Sequence, residues 1–360
     1  MKKIAIVIDS LVGGGAERVM LTLASEFLSM GHNVTIFSLK QHVTYQIPEA
    51  LKLVFPFAEY NASVRGWFNR KKLAKMLTDA VNNAEQNGRF DMFLVNLYEA
   101  YRIVQACNFA RCHYVIHNDF NSELAREAKM GPIKYFYMRK ILRGLTGKRL
   151  IAVSKGISNA LLTTHLFTPK QVSQIYNPTD HNFIQSMAAK PLTEKIPPKF
   201  ILHVGRAAKA KRHDVLFKAL QNVDKEYVLV CLSVSVKKLR KLSHRLNVED
   251  RVVLPGFSDN PYQWMKHAAA VVLSSDFEGL PTVLIEAQVC GTPIVSTDCP
   301  FGPREIVGEE GITNLVPMRD PDALAGAINT VLARQSINLQ SPLLPKLGKT
   351  SIANAYLALC

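Results

Sequence analysis

The chain has 360 residues, 48% hydrophobic and 20% charged, with a formal charge of +15. At ~150 residues per domain that length suits about two domains, and the composition excludes a disordered tail or a collagen-like chain. No run of ~18 apolar residues occurs, so no membrane-spanning helix is expected, and six cysteines without a CxxC pair read as reduced core thiols of a cytoplasmic protein, neither a disulfide framework nor a zinc site.

The first apolar run, Lys3–Ile8, stops at Asp9 and enters a glycine loop, which marks a buried strand rather than a secretory leader. Residues 17–30 place Val19, Met20, Leu23, Phe27 and Leu28 at helical spacing, and Gly31 closes that helix. Strands are expected at 33–39, 91–95, 113–116 and 149–153, with helices between them, as in a parallel sheet covered on both faces. Asn177-Pro178, Lys190-Pro191 and Pro197-Pro198 then bracket a polar stretch that reads as a linker. The alternation restarts with strands at 200–204, 227–232, 252–254, 269–273 and 293–296 and helices near 213–220, 237–246 and from 281. Residues 320–333 form a good helix, 335–345 read as loop, and 351–359 as a last amphipathic helix.

The expected architecture is therefore α/β, with two Rossmann-like parallel-sheet domains and ligand binding in the cleft between them. The boundaries are 1–180 for the N-terminal domain, 181–199 for a linker, 200–340 for the C-terminal domain, and 341–360 for a segment returning to the N-terminal domain.

The positive charge is concentrated. Residues 1–180 hold 23 Lys and Arg against 13 Asp and Glu. Within 126–149, Arg126, Lys129, Lys134, Arg139, Lys140, Arg143, Lys148 and Arg149 face one acid, Glu127. Tyr135, Phe136, Tyr137, Met138, Ile141 and Leu142 interleave with them, as Trp67 and Phe68 do with Arg65, Arg70, Lys71, Lys72 and Lys75. Such a pattern suits an anionic membrane interface; a solubilising surface and a polyanion site are the other readings.

Three motifs carry candidate chemistry. Gly13-Gly14-Gly15-Ala16-Glu17-Arg18 lies between a strand and a helix, where glycines let a ligand approach backbone N–H groups; a plain tight turn is the alternative. It is not GxGxxG, and the second strand runs into Lys40 rather than a ribose-binding acid, so a dinucleotide site is disfavoured. Gly205-Arg206 and Lys211 follow a strand, where an open α/β sheet binds its ligand and where Arg and Lys grip phosphate; a solvated basic loop is the alternative. The third is Asp276-Phe277-Glu278-Gly279-Leu280-Pro281-Thr282-Val283-Leu284-Ile285-Glu286. Pro281 suits a first helical position, and the free N–H groups near Leu280, Thr282 and Val283 suit a phosphate. Glu286 sits among apolar residues and needs a hydroxyl-rich ligand or a cation; pairing with a neighbouring Lys or Arg is the alternative.

Glu278 and Glu286, seven residues apart, resemble the Glu-x7-Glu motif of retaining GT-B glycosyltransferases, specifically glycosyltransferase family four, the glycosyltransferases group 1. Glu278-Gly279-Leu280-Pro281-Thr282-Val283-Leu284-Ile285-Glu286-Ala287 with Gly291-Thr292-Pro293-Ile294-Val295 is similar to that family, as are Gly205-Arg206 with Lys211, the glycine loop, His117-Asn118, Val153-Ser154-Lys155-Gly156 and Tyr176-Asn177-Pro178. The resemblance covers nearly the whole chain. Cys231-Leu232-Ser233-Val234-Ser235-Val236 departs from the family's Gly-x-Gly-Pro-like turn, so the contact with the nucleotide base is expected to differ.

The resemblance implies a GT-B fold and a retaining, metal-independent hexosyl or N-acetylhexosaminyl transfer from a nucleotide sugar, most often a UDP-sugar, which is substrate and not cofactor. The acceptor would be a saccharide or lipid-linked saccharide of lipopolysaccharide, O-antigen or capsule. Arg206 and Lys211 would neutralise the leaving diphosphate with the amides near Gly279, Leu280, Thr282 and Val283. Glu286 would bind the ribose, Glu278 the donor sugar, and His117 would sit near that sugar. Gly14, Gly15 and Gly205 would leave room for acceptor and diphosphate. No metal ligand set is expected. A satisfied interior histidine is the other reading of His117. The enzyme would be cytoplasmic, with its N-terminal half on the inner face of the cytoplasmic membrane. A sugar-nucleotide epimerase or a phosphorylase on the same fold, and a basic nucleic-acid-binding protein, are the alternatives; the last leaves Glu278 and Glu286 unexplained and has no recognisable binding module.

Overall fold

The computed structural model describes every residue except 61, 67, 192–195, 310, 312, 313 and 335–340. It divides into two compact units, Met1–Thr179 with Leu347–Cys360, and Asp180–Lys346.

The first unit is built on a seven-stranded parallel sheet. Its strands are β1 (Lys3–Ile8), β2 (Asn33–Ser38), β3 (Lys52–Val54), β4 (Met92–Asn96), β5 (Cys112–Ile116), β6 (Arg149–Ala152) and β7 (Gln171–Gln174), in the order β3-β2-β1-β4-β5-β6-β7. β1 runs from Ile4 to Ile8 without exposed surface, because helices cover both faces of a parallel sheet and leave no room for alternation. Helices α1 (Gly15–Ser29), α2 (Arg70–Ala84), α3 (Tyr98–Val104), α4 (Phe120–Lys129), α5 (Pro132–Arg143) and α6 (Lys155–Thr163) make the crossovers. The chain direction across the sheet reverses between β1 and β4, and their carboxyl ends lie where an open α/β sheet binds ligands.

The second unit repeats this order with six parallel strands: β8 (Phe200–Val204), β9 (Val228–Leu232), β10 (Val252–Gly256), β11 (Ala270–Leu273), β12 (Ile294–Thr297) and β13 (Leu315–Val316), arranged β10-β9-β8-β11-β12-β13. Its switch point lies between β8 and β11. Helices α7 (His181–Ala188), α8 (His213–Ala219), α9 (Val236–Arg245), α10 (Pro261–His267), α11 (Thr282–Val289), α12 (Pro303–Val307) and α13 (Pro321–Ala333) complete it.

The stretch 181–199, expected as a linker, departs from that expectation. Asp180 caps α7 by accepting from Phe183 N at 3.1 Å, and α7 packs within the second unit on α10. Asn260 Nδ2 donates to the Met187 carbonyl at 2.8 Å, and the Phe183 and Tyr262 rings meet edge to face at 6.2 Å. Between the flanking prolines the stretch carries an apolar face, Phe183, Ile184 and Ala188. Residues 192–195 of the expected linker, and 335–340 of the expected loop, lie outside the described residues.

The last helix, α14 (Lys349–Leu357), belongs to the first unit. Thr179 N donates to the Leu347 carbonyl at 2.7 Å, and Thr350 Oγ1 donates to the buried Glu26 of α1 at 2.5 Å. Ile352, Ala353 and Tyr356 are buried.

The aromatic and basic residues of 132–143 divide between two faces. Met138, Ile141 and Leu142 are buried, and Tyr137 donates its hydroxyl to Glu99 at 2.9 Å. Ile133, Phe136, Lys140 and Arg143 form one exposed stripe. Phe68 is fully exposed, whereas Trp67 lies outside the described residues.

Candidate active site

In the second unit, the loops after β8 and β11 are laced together at the switch point. The Ser274 hydroxyl donates to the Lys211 carbonyl at 2.8 Å, and Asp276 N donates to the Ala210 carbonyl at 2.7 Å. That stitching brings Lys211 and Glu278 into contact, with Nζ donating to Oε1 at 2.7 Å. Ser275 Oγ donates to the same oxygen at 2.5 Å. Oε2 has no partner among the described residues, although Glu278 is only 8% exposed. An ammonium has three N–H groups, so Lys211 holds Glu278 with one and keeps two for an anion. Gly205 lies under the Lys211 stem: a Cβ there would sit 3.7 Å from Lys211 Cε. The Arg206 side chain is exposed and has no partner among the described residues.

Asp276, beside them, acts as a brace. It accepts from Arg212 at 3.3 Å and from Arg319 Nε and Nη2 at 2.9 and 3.1 Å. Arg212 has φ of +47° and also pairs with Asp214 at 2.8 Å, so two carboxylates hold a left-handed backbone at the start of α8.

Helix α11 starts at Thr282, and Pro281 occupies its N-cap, one position earlier than expected. No side chain caps this end; Leu284 N donates to the Pro281 carbonyl at 3.1 Å, and the N–H groups of Thr282 and Val283 stay available for an anion. Thr282, Val283, Glu286 and Val289 form the half-buried stripe of α11, while Leu284, Ile285, Ala287 and Gln288 are buried. Glu286 thus shares a face with the open first turn. Gly279 and Leu280 are buried in the loop that leads into it. Gly302 presses on that loop: a Cβ there would lie 2.4 Å from Pro281 Cδ and 2.9 Å from the Gly279 carbonyl oxygen.

A pair of buried histidines lies beneath the loop after β8. His203 Nδ1 donates to the Val272 carbonyl at 2.9 Å, and the His203 and His213 rings meet edge to face at 4.6 Å. Burial pushes their basicities down to about 4 and about 2, so both are neutral.

In the first unit, Gly14 is the N-cap of α1, and its carbonyl accepts from Tyr45 OH at 2.9 Å. A Cβ on Gly14 would fall 2.1 Å from Glu17 Oε2. The space expected to be left for a ligand at Gly14 is therefore filled by the Glu17 carboxylate folded back over the helix start, as an N3 acid does in a capping box. Gly15 is the first residue of α1. His117 follows β5, and its Nε2 lies 2.9 Å from Oδ1 of Asn96 at the end of β4. Burial pushes His117 down to about 4. At the end of β1, Asp9 accepts from the N–H groups of Ala100 and Glu99 at 2.7 and 3.3 Å, and burial raises it to about 7.

The structure thus brings Gly205, Lys211 and Glu278 together, leaves Arg206 exposed in the loop after β8, and aligns Thr282, Val283 and Glu286 on one helix face. Gly14, Gly15 and His117 stand at the carboxyl ends of strands in the first unit. Sequence reasoning missed Ser275, Asp276 with Arg319, Gly302 and Asn96. A polar residue closing an otherwise apolar strand, as Asn96 closes Met92–Asn96, is the signal that could have found one of them.

Two family models match: "Glycosyl transferases group 1" over residues 188–344 and "Glycosyltransferase Family 4" over residues 13–183. An N-acetylgalactosamine-N,N'-diacetylbacillosaminyl-diphospho-undecaprenol 4-alpha-N-acetylgalactosaminyltransferase of Campylobacter jejuni is 28% identical, over 92% of this chain and 90% of that protein. A lipopolysaccharide 1,6-galactosyltransferase of Salmonella typhimurium is 29% identical over 54% of this chain and 55% of its own length. Anabaena Alr3699/HepE, solved in complex with UDP, matches with a TM-score of 0.69 at 20% identity, covering 99% of both chains.

Proposed function

The chain belongs to the glycosyltransferases of group 1 and family 4, with the two Rossmann-like units of the GT-B fold, and from that premise we propose that it is a retaining, metal-independent enzyme moving a hexose or N-acetylhexosamine from a nucleotide sugar to a lipid-linked saccharide. The observation that carries this reading is the Lys211–Glu278 pair at the switch point, with Oε2 of Glu278 and the exposed Arg206 of the loop after β8 both without a partner among the described residues. A diphosphate leaving group gathers negative charge as its bond to the anomeric carbon breaks. Arg206, the spare N–H groups of Lys211 and the open first turn of α11 are placed to balance that charge. Glu278 Oε2 accepts from donor-sugar hydroxyls, and Glu286 from the ribose. The acceptor oxygen bonds the anomeric carbon on the face the diphosphate leaves, and its proton passes to a departing phosphate oxygen, so no protein nucleophile is needed.

A uridine diphosphate carrier is supported by the UDP bound in Alr3699/HepE, and a lipid-linked acceptor in cell-surface glycan synthesis by the names of the Campylobacter and Salmonella relatives. Exposed Phe68, Met130, Ile133 and Phe136, with Lys140 and Arg143 on the α5 stripe, suit docking on an anionic leaflet. Glu286→Ala, Arg206→Ala and Lys211→Ala are each expected to lower transfer by orders of magnitude with the fold retained. Near-normal turnover in all three purified variants refutes the site. A thermal-shift panel of nucleotide sugars identifies the donor, since a ligand of the native form raises its melting temperature. Flotation with anionic liposomes at low salt tests the membrane surface, and failure to float removes it.

A further inference from the structure

Asn96 is fully buried at the carboxyl end of β4, beside the switch point of the first sheet. Its Nδ2 donates to the Leu94 carbonyl at 3.0 Å and to the Val7 carbonyl at 3.4 Å. The amide cannot be turned over, because Oδ1 would then face two carbonyl oxygens with no hydrogen between them. Oδ1 therefore points to His117 Nε2, 2.9 Å away, and it can only accept. The hydrogen of that bond belongs to the histidine. Since burial keeps the imidazole neutral, one nitrogen carries a hydrogen and the other a lone pair, and Nδ1 holds the lone pair.

We propose that Asn96 is a positioning residue that fixes His117 as the Nε2–H tautomer and so makes Nδ1 an acceptor for a substrate hydroxyl. That His117 meets a sugar rests on the function proposed above; the tautomer does not. The choice is written by the backbone of β1 and β4, whose two carbonyls fix the amide that fixes the ring. Tying those strands together needs only Nδ2, so the bond from Oδ1 to His117 is surplus to a purely structural role. The carboxylates of the neighbouring elements are engaged elsewhere. Asp9 of the β1 end holds the N–H groups of α3. Glu99 of α3 holds Arg102 and Tyr137, and Asp119 caps α4 through Asn121 N. Glu123 of α4 accepts from Tyr98 and Asn118. Burial alone accounts for the direction of the His117 shift, so no charge competes with Asn96 for its proton.

The chemical consequence is selectivity. A ring fixed this way accepts from an O–H and repels a carbonyl or phosphate oxygen, so the sugar group it reads carries a hydrogen.

The test is nitrogen NMR of histidine-labelled full-length protein, read with transfer kinetics. Wild-type His117 is expected to show a protonated Nε2 and an unprotonated Nδ1 near neutral pH. In Asn96→Ala the acceptor is lost, and the Nδ1–H form of His117 should gain population. Turnover should then fall about 10- to 100-fold, in kcat rather than in nucleotide affinity. A Nδ1–H tautomer in the wild type overturns the proposal even in a fully active enzyme. So does an Asn96→Ala protein with an unchanged tautomer balance, or with an altered balance and unchanged transfer. Should Asn96→Ala not fold, the wild-type tautomer still decides. Absence of transfer from every nucleotide sugar would instead refute the substrate reading, and the NMR result would stand without it.

Discussion

Replacing Gly302 with alanine sets a methyl group 2.4 Å from Pro281 Cδ, 2.9 Å from the Gly279 carbonyl oxygen and 3.1 Å from Leu280 Cα. Carbon atoms settle at about 3.5 Å or more, so the loop leading into α11 must retreat by about 1 Å. Neither a proline ring nor a backbone carbonyl can rotate out of the way. Overpacking of this kind costs about 1–3 kcal/mol. The φ of +95° at Gly302 adds about 1–2 kcal/mol for any side chain. The expected loss is therefore about 2–5 kcal/mol in urea unfolding. A displacement of that size at the helix start should also weaken nucleoside diphosphate binding, by up to about 100-fold in turnover. Gly88→Ala is the control: its φ is +108°, but nothing lies within 4 Å of the added carbon. It should show the backbone strain alone and unchanged nucleotide affinity by calorimetry. A Gly302→Ala protein that matches the Gly88→Ala protein in both assays refutes the reasoning.

Lys211→Met leaves the buried Glu278 carboxylate with only Ser275, and should destabilise by about 1–3 kcal/mol and abolish tight diphosphate binding. Adding Glu278→Gln should restore most of the stability and none of the binding; a double variant as unstable as the single one contradicts the pairing. The Tyr356 hydroxyl is buried without a partner among the described residues, so Tyr356→Phe should be neutral or stabilising by up to about 1 kcal/mol, whereas Tyr356→Ala should cost about 3–5 kcal/mol. Loss of stability in Tyr356→Phe would show that the hydroxyl is bonded after all. Stability should also fall on acidification from pH 6.5 towards about 4. Burial holds His113, His117 and His203 near 4 and His213 near 2, so the unfolded chain binds more protons there. Asp9, raised to about 7, works the other way, since its protonated form is favoured in the folded state. Glu123, also raised by burial, acts in the same direction as Asp9; four histidines outweigh these two carboxyls, and each net proton is worth about 1.4 kcal/mol per pH unit. An unfolding midpoint at pH 5 equal to that at pH 7.5 would count against these burials.

Most strands were readable because a parallel sheet buried on both faces demands unbroken apolar runs, and Lys3–Ile8, Phe200–Val204 and Ala270–Leu273 supply them. The edge strands β3, β7 and β13 were not, since Lys52–Val54 and Leu315–Val316 are short and Gln171–Gln174 is polar. The chemistry of the site was legible where residue type and spacing suffice: two acids seven apart around a helix start, and two cations after a strand. Its pairings were not, because they join residues far apart in the chain. Lys211 meets Glu278 across 67 positions, and Arg319 meets Asp276 across 43.

By itself, then, the order of residues determined two α/β sheets and the family, both consequences of local periodicity and of motif. Only the tertiary structure decided which oxygen of Glu278 is left open, that Glu17 fills the space beside Gly14, that 181–188 is a helix of the second unit, and which nitrogen of His117 holds the proton. Those are questions of who lies next to whom once strands are laid side by side, and a hydrogen bond between strand ends leaves no trace in the spacing of either strand.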